Sequence, residues 1–228
     1  MLKKIKKSSI PLGNICRYTL GLQVYHNSIH SKEEIEKRVY HSTDKLNDTY
    51  FPEIHGSQVM RFHFLENFQE YVAYGNWCYN KPEWVFCAGK RVLIREILGS
   101  DGLVCALIEL TGIPNKAIII AIPEKFSNEY LLGLLSSRLF TFYVNKTTEK
   151  GKQRLFPRIS LSTLKNLPIK LPNKDFESKI HDCVTQIIES KKLNPNVDIC
   201  SLEKEIDQLV YTLYGLTEEE IKIIEQSF

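Results

Sequence analysis

The sequence predicts an α+β fold: a mixed or antiparallel sheet with a buried helix, followed by a C-terminal antiparallel helical hairpin. Between residues 84 and 122, short apolar runs alternate with turns rich in glycine and proline, a pattern typical of strands. Residues 130–143 are almost wholly apolar, as expected for a helix inside a core. Beyond residue 173, apolar residues recur at helical spacing on both sides of Asn194-Pro195-Asn196. We therefore expect an α+β domain over residues 1–172 and a helical hairpin over residues 173–228 that packs on it.

The net charge of +3 hides an uneven distribution along the chain. Residues 174–228 contain 6 lysines and no arginine against 12 acidic residues, a charge of −6, so residues 1–173 carry +9. A basic body favours a polyanionic partner, whereas the acidic segment is expected to face solvent or protein. An ordinary solvated surface of mixed charge explains the same numbers, so composition alone leaves both interpretations open.

The composition argues against several classes of protein. The apolar runs are far shorter than the roughly 18–20 residues that cross a bilayer, so we expect no membrane span and a cytoplasmic protein. Residues 1–7 are interpreted as a basic arm, because Pro11 and Arg17 interrupt the apolar stretch that a signal peptide needs. Six dispersed cysteines predict reduced core thiols, and the histidines show no zinc-binding spacing with them, so no metal is expected.

The first third of the chain indicates strands and one short helix. Residues 10–22 are predicted to form the first strand, with a turn near Gly13-Asn14 in its middle. Ser31 and Glu34 form a capping box, in which the hydroxyl accepts from the Glu34 amide and the carboxylate reaches back to start a helix. Residues 50–59 are predicted to be a loop because they contain a proline and a glycine, and residues 60–64 alternate as a strand.

Residues 71–84 are unusually rich in aromatic side chains. The rings, including Trp77 and Tyr79, are interleaved with loop-forming residues such as Asn76. Rings in a loop can stack on bases, at ~1–3 kcal/mol per base in proteins that bind single strands. They can equally cover the core from outside, and the sequence leaves both interpretations open.

The strands expected next bring two arginines together. The predicted strands are residues 84–87, 91–97, 103–110 and 117–122. Alternation places Arg91 and Arg95 on one face of the second of these strands. Such a pair is typical of a strand that contacts phosphates or bases, and also of a salt-bridged sheet edge.

The apolar helix is expected to carry a binding loop. It is predicted to begin at the capping residue Ser127 and to end in a polar, cationic loop over residues 145–158. A rigid apolar helix beside a cationic loop is a typical way to present a binding surface. Further along, Asn173 and Thr217 are predicted helix caps.

The motifs of common enzyme classes are missing from the sequence. It contains no Gly-x-Gly-x-x-Gly, no P-loop and no Gly-x-Ser-x-Gly, which excludes the usual dinucleotide site, phosphate loop and nucleophile elbow. Three Glu-x-Lys pairs lie in acidic helical segments without a strand-borne aspartate, so they do not indicate a nuclease. We expect no catalytic residues and no catalytic activity in this chain alone.

Three stretches together resemble the TaqI-like C-terminal specificity domain of adenine-N6 DNA methyltransferases and fused type IIG restriction enzymes. Residues 130–143 are similar to the family's YLLALLNS-x-L-x-x-x-Y helix, residues 156–172 to its re-entry segment ending in L-x-x-L-P-I-P, and residues 202–221 to its terminal helix. The chain has Ser136-Ser137 where Asn-Ser is usual, a change not expected to disturb the helix. It also lacks the methyltransferase half.

The resemblance implies sequence-specific recognition of double-stranded DNA for a partner or fused adenine-specific methyltransferase or endonuclease. S-adenosylmethionine is then expected only in that partner, with no cofactor in this chain. The phosphate-contacting candidates are Lys146, Lys150, Lys152, Arg154 and Arg158. The base-reading candidates are Gln153 and Arg95. Further DNA-binding candidates are Lys90, Arg61, Asn76, Trp77 and Tyr79.

Two other functions compete with this interpretation. One is a non-catalytic protein-interaction scaffold that docks through the acidic helical hairpin, in which case the basic face is incidental. The other is binding of RNA or single strands through the aromatic residues 71–84. Binding to random duplex DNA separates the first from DNA recognition, and a preference for single strands identifies the second.

Overall fold

The computed structural model describes residues 1–100, 102–147 and 158–228. Within these ranges the helices are α1 (Leu2–Lys6), α2 (Lys32–Glu36), α3 (Asn128–Ser136), α4 (Arg138–Thr147), α5 (Leu161–Lys165), α6 (Lys174–Leu193), α7 (Cys200–Tyr214) and α8 (Glu218–Glu225). The strands are β1 (Ile10–Pro11), β2 (Cys16–Leu20), β3 (His41–Ser42), β4 (Tyr50–Ile54), β5 (Val59–Met60), β6 (His63–Phe64), β7 (Tyr71–Ala73), β8 (Lys90–Arg95), β9 (Cys105–Glu109), β10 (Ile113–Pro114), β11 (Ile118–Pro123) and β12 (Pro168–Ile169).

The main sheet carries the buried helix that the sequence predicts. Its order is β2-β11-β8-β9 and all of its pairs are antiparallel. Helix α3 packs on β8, β9 and β11, and its residues from Glu129 to Ser136 are all buried. Helix α6 approaches α3 closely at Gly133, where a Cβ would lie 2.5 Å from Cγ2 of Ile180. Helices α6 and α7 pack on α3 and on each other, so the predicted α+β class is confirmed.

A second sheet of four strands lies beside the main one. Its order is β10-β4-β7-β3, and it is mixed because β10 runs parallel to β4 while the other pairs are antiparallel. The apolar cluster that contains Val72 and Ile113 of this sheet has six buried residues, and the one that contains Ile54 of β4 has eight, against 36 in the main cluster, counted over the described residues. Because apolar burial is the main stabilising contribution in most domains, this sheet depends more on polar contacts.

A buried arginine joins the two sheets. Arg91, on the central strand β8, is fully buried, so its side chain neither binds a ligand nor lies at a sheet edge. Its guanidinium donates to four backbone carbonyls, those of Cys87, Gly89, Leu110 and Gly112, at 2.6–3.1 Å. Gly112 directly precedes β10 of the second sheet. Burial lowers the pKa of Arg91 to about 10, and the side chain therefore remains charged at neutral pH.

The apolar helix predicted over residues 130–143 is split in two at Ser137. Ser137 is extended, with φ −71° and ψ 154°, between α3 and α4. The Arg138 amide donates to Oδ1 of Asp207 at 2.8 Å instead of continuing the helix, and Thr141 N donates to the Ser137 carbonyl. A carboxylate from α7, distant in sequence, thus stabilises the start of α4.

Several local predictions are wrong where distant contacts decide the conformation. Residues 50–59 were expected to be a loop, yet 50–54 form β4, in which the Glu53 amide donates at 3.0 Å to the carbonyl of Glu70, the residue before β7. Residues 60–64 contribute to a tight hairpin of β5 and β6 rather than to one strand. Residues 84–86 form a 3-10 turn instead of a strand.

The N-terminal segment is also not a free basic arm. Residues 2–6 form α1, and Ile5 is buried in the main core. Lys4 lies 2.6 Å from a carboxylate oxygen of Glu220 on α8, so part of the basic charge is matched by the acidic C-terminal region. The acidic segment therefore contacts the body of the same chain.

The predicted helix caps are confirmed. Ser31 and Thr217 each form a capping box with the glutamate three residues later. Ser127 and Asn173 accept from the amides of Tyr130 and Phe176. All six cysteines are free and five of them are buried, which agrees with the prediction of reduced thiols in the core. Among the described residues, no helix is both long and apolar enough to cross a membrane.

Replacing Arg91 tests the junction between the sheets. We expect Arg91→Lys to lower the free energy of unfolding by about 3 kcal/mol, because an ammonium cannot satisfy four carbonyls in the geometry of a guanidinium. Urea unfolding followed by circular dichroism measures the change. Arg95→Lys, on the same strand but partly exposed, is the matched control and is expected to change the free energy by less than about 0.5 kcal/mol. Equal effects of the two substitutions would refute the role of Arg91.

Asp207 makes stability depend on pH. Burial raises its pKa to about 6, and the Arg138 amide and guanidinium only partly offset this effect. A carboxyl group with a raised folded-state pKa binds its proton more tightly in the folded protein, so its contribution is present below pH 4 and lost between about pH 4 and 6. We expect Asp207→Asn, which keeps an acceptor for the Arg138 amide, to gain about 2 kcal/mol over the wild type between pH 4 and 7.

Urea unfolding at both pH values measures this gain. Asp182→Asn, which removes an exposed carboxylate, controls for the loss of one charge. The assignment fails if Asp207→Asn and the wild type differ by the same amount at both pH values.

Candidate nucleic-acid interface

The predicted binding loop follows α4. Lys146 lies in the last turn of that helix, is exposed, and places its ammonium 5.5 Å from the centre of the Phe142 ring. The rest of α4 is anchored by apolar residues of the main core, so this cation stands on a rigid base. The candidates Lys150, Lys152, Gln153 and Arg154 lie outside the described residues.

The chain returns from this loop beside the end of β8. Arg158 is exposed and bridges Ile97 in antiparallel fashion, and the amide of Ile159 donates to the Glu96 carbonyl at 2.8 Å. Arg95, which precedes Glu96, forms no hydrogen bond or ion pair with its side chain within the described residues. Two of the predicted DNA-contacting cations are thus brought together at one end of the main sheet.

Glu96 is the acidic group at this end of the sheet. Burial raises the pKa of its carboxyl group, and the charges of Arg158 and Lys116 oppose that shift. The positive charges of Arg158 and Lys116 therefore outnumber the one carboxylate of Glu96 that they lie near. Such a balance favours an anionic partner.

Two other predicted cations are engaged within the protein. Lys90 lies 2.5 Å from a carboxylate oxygen of the buried Glu129. Arg61 donates to Glu203 at 2.7 Å and to the Ser136 carbonyl at 2.6 Å, and so links the β5–β6 hairpin to α7 and α3. Because Lys90 and Arg61 each already pair with a carboxylate of the protein, DNA would have to compete with that carboxylate to bind them. Their role in DNA binding stays a prediction.

The predicted aromatic candidates form an ordered surface above the second sheet. Trp77 is 36% exposed and stacks on Tyr40 with ring centroids 5.8 Å apart. Tyr79 is 45% exposed and stacks on His26 at 4.0 Å. Asn76 accepts from the Lys81 ammonium at 2.8 Å. The rings cover part of the protein and also present a face to solvent, so both interpretations of them remain open.

Sequence reasoning missed a polar cluster on the second sheet. Glu53 on β4 is 4% exposed, and the Nε2 atoms of His41 and His55 each lie 3.3 Å from its Oε2. Glu70 lies 3.1 Å from His55 and 2.9 Å from Arg38. The alternation Glu53-x-His55 was a usable signal, but it was hidden because residues 50–59 were interpreted as a loop.

The cluster is strongly charged although it is largely buried. Burial by itself raises the pKa of Glu53, yet the two imidazoles outweigh this effect and bring the pKa down to about 2. The Glu53 carboxylate in turn raises the pKa of His55. Glu53 is therefore ionised at neutral pH and requires a positive partner.

Comparisons with known proteins agree with the fold and with the resemblance of the sequence. The family model of the TaqI-like C-terminal specificity domain matches residues 51–169, which is more than half of the chain. A predicted type II restriction enzyme and methyltransferase of Methanocaldococcus jannaschii is 29% identical over 184 residues, covering 76% of this chain and 15% of that protein.

Two solved structures share the architecture. The type IIL restriction-modification enzyme MmeI, solved in complex with DNA, aligns with 92% of this chain and 33% of its own, at a TM-score of 0.64 and 14% identity. The type IIG restriction endonuclease BpuSI aligns with 91% of this chain and 31% of its own, at a TM-score of 0.50 and 12% identity. At these identities the similarity shows a common fold. The chain spans only about a sixth to a third of the length of these relatives.

The match over residues 51–169 includes β8, the buried α3 and the re-entry past Arg158, which are the elements that carry the candidate interface. The chain belongs to the family of TaqI-like C-terminal specificity domains.

Proposed function

We propose that this chain recognises a specific sequence of double-stranded DNA for a restriction-modification enzyme, and presents it to an adenine-specific methyltransferase or endonuclease in a fused domain or separate subunit. The observation that carries the proposal is the placement of exposed Lys146 and Arg158 on the two sides of the cationic loop, with Arg158 beside the end of β8, where Arg95 has no ion pair among the described residues. Membership of a specificity-domain family supports it.

In this proposal the cations divide into two roles. Lys146, Lys150, Lys152, Arg154 and Arg158 contact phosphates and set the position of the duplex, since phosphate contacts carry little sequence information. Arg95 and Gln153 reach base edges, where the planar guanidinium can pair with the O6 and N7 atoms of a guanine. Arg95 suits this role because it lies on a central strand and is therefore rigidly held.

The aromatic surface is a second contact region in this proposal. Trp77 and Tyr79 are fixed by stacking on Tyr40 and His26, so they lose little freedom when a ligand covers them. Asn76, Lys90 and Arg61 are weaker candidates, since other groups of the protein already bind them.

Chemistry is assigned to the partner rather than to this chain. The target adenine would be flipped out of the duplex and methylated in the partner, which would also hold S-adenosylmethionine. We further propose that residues 1–172 carry recognition, while residues 173–228 brace α3 and offer an acidic surface to a protein. The alternative of a protein-interaction scaffold uses only that second surface.

The salt dependence of binding tests the cationic loop. If all five loop cations contact phosphates, log K for random duplex DNA should fall with log salt at a slope of roughly −4.5. Replacing both Lys146 and Arg158 with alanine removes two of these charges and should reduce the magnitude of the slope by roughly 1.8. Lys179→Ala, on the acidic α6, is the control and should leave the slope unchanged. Fluorescence anisotropy across a salt series measures all three.

A slope near zero in the wild type would refute the loop assignment and favour the scaffold. Tighter binding to a single strand than to a duplex of the same sequence would instead favour recognition through the aromatic surface.

The proposed base contact of Arg95 has its own signature. After the preferred duplex is selected from a random library, Arg95→Ala should lose about 1–3 kcal/mol of discrimination at one base pair and keep its preference elsewhere. Lys146→Ala should instead weaken binding to all sequences by a similar factor. Uniform weakening by Arg95→Ala would show that this arginine contacts phosphate only.

A further inference from the structure

The second sheet brings three polar side chains, those of His41, Glu53 and Glu70, to one face. In the pairing of β3, β4 and β7, His41 lies opposite Val72, and Val72 lies opposite Phe51. Continuing that register places Glu53 opposite Glu70, whose carbonyl accepts from the Glu53 amide at 3.0 Å. Because side chains two residues apart share a face, the two carboxylates lie beside His41 on one side of the sheet.

The ligand atoms of three of these residues converge. One side-chain atom each from His41, Glu53 and Glu70 lies within 4.8 Å of the other two. The distance from Nε2 of His41 to Oε2 of Glu53 is 3.3 Å. A tetrahedral ion with bonds of about 2.0–2.1 Å holds neighbouring ligand atoms about 3.3 Å apart, so this spacing fits joint coordination.

The buried carboxylate also has an unsatisfied oxygen. Oε2 of Glu53 is inaccessible to solvent and accepts no hydrogen bond among the described residues, although two imidazole nitrogens lie 3.3 Å away. A carboxylate oxygen buried without a hydrogen-bond partner is costly unless a cation binds it. This orphaned atom is an observation independent of the clustering, and it points to a ligand.

The surrounding hydrogen bonds prepare His41 for coordination. Its Nδ1 lies 2.9 Å from the hydroxyl of Tyr25, which also accepts from the Tyr40 amide at 2.9 Å. When an ion is bound, the proton of His41 can lie on Nδ1 and be directed to this hydroxyl, so that the Nε2 lone pair faces the ion. Metal-binding histidines commonly have such a second partner, which orients the ring.

His55 has a different role in the cluster. The Asn115 amide oxygen accepts from the Ala117 amide, which leaves its nitrogen to donate to Nδ1 of His55 at 3.1 Å. The proton of His55 is then on Nε2, 3.1 Å from Glu70. His55 is therefore a residue that positions the carboxylates. Arg38, 2.9 Å from the other oxygen of Glu70, acts in the same way.

We propose that His41, Glu53 and Glu70 bind a divalent first-row transition ion, with Zn²⁺ as the reference ion. One imidazole and two carboxylates are a donor set that Zn²⁺ accepts, whereas Mg²⁺ and Ca²⁺ prefer oxygen ligands alone. The three ligands come from β3, β4 and the start of β7, so the ion ties together a sheet that has a small apolar cluster. Its role is to stabilise this sheet and the aromatic surface above it.

The test measures Zn²⁺ binding by the 228-residue chain after treatment with a chelator, in competition with a chromophoric chelator. We expect one Zn²⁺ per chain, a rise in the thermal midpoint on adding Zn²⁺, and no rise with Mg²⁺. Co²⁺ should give a spectrum without a thiolate charge-transfer band, since the cysteines lie outside the site. No stoichiometric binding by the wild type would overturn the proposal and leave the cluster held by protons and Arg38.

The variants distinguish this site from adventitious binding. Glu70→Gln, at a partly exposed position, and Glu53→Gln should each weaken Zn²⁺ binding by more than about 100-fold, and His55→Ala by about 10–100-fold. His181→Ala is the matched control, because His181 is an exposed histidine 3.2 Å from the carboxylate of Asp182. It should bind Zn²⁺ as the wild type does. Near-ultraviolet circular dichroism verifies folding, and unchanged binding by folded Glu70→Gln would refute the site.

Discussion

The two sheets depend on one buried charge. Among the described residues Arg91 has no carboxylate partner, and its two terminal nitrogens donate to carbonyls from the segment before β8 and the segment after β9, while its Nε has no hydrogen-bond partner. A charge in a water-free interior is stable only when most of its donors are paired, so these two segments must stay where the arginine needs them. The backbone bond from the Gly112 amide to the Cys87 carbonyl closes the same junction. These contacts hold the chain at the point where it passes from the main sheet to β10 of the second sheet.

The features that could be predicted from the sequence are those decided within a few residues. A capping residue acts on the amide three positions ahead, so Ser31 and Thr217 were identifiable from spacing alone. The break at Ser137 was not, because the acceptor that stabilises it is Asp207, about 70 residues away. Strand β4 was missed for the same reason: its proline argues against a strand locally, and pairing with β7 and β10 outweighs that preference.

The candidate interface divides in a similar way. Composition indicated a basic body, but it could not show which cations are already matched by carboxylates. Lys90 and Arg61 resemble Arg95 and Arg158 in the sequence, yet the first two are held in ion pairs with residues about 39 and 142 positions away. Long-range pairing therefore decides which charges remain free for a polyanion. Among the described residues, Lys146, Arg95 and Arg158 form no ion pair, which is why they remain the candidates for binding DNA.

The two halves of the structure are stabilised by different means, and this difference bears on recognition. The main sheet and its helices are held by a large apolar cluster, in which a substitution disturbs many neighbours. The second sheet relies on a charged cluster beneath stacked, half-exposed rings. Side chains on such a surface, including Trp77 and Tyr79, can change without opening the main core. The main sheet and its helices can therefore keep their shape while the side chains of the aromatic surface vary.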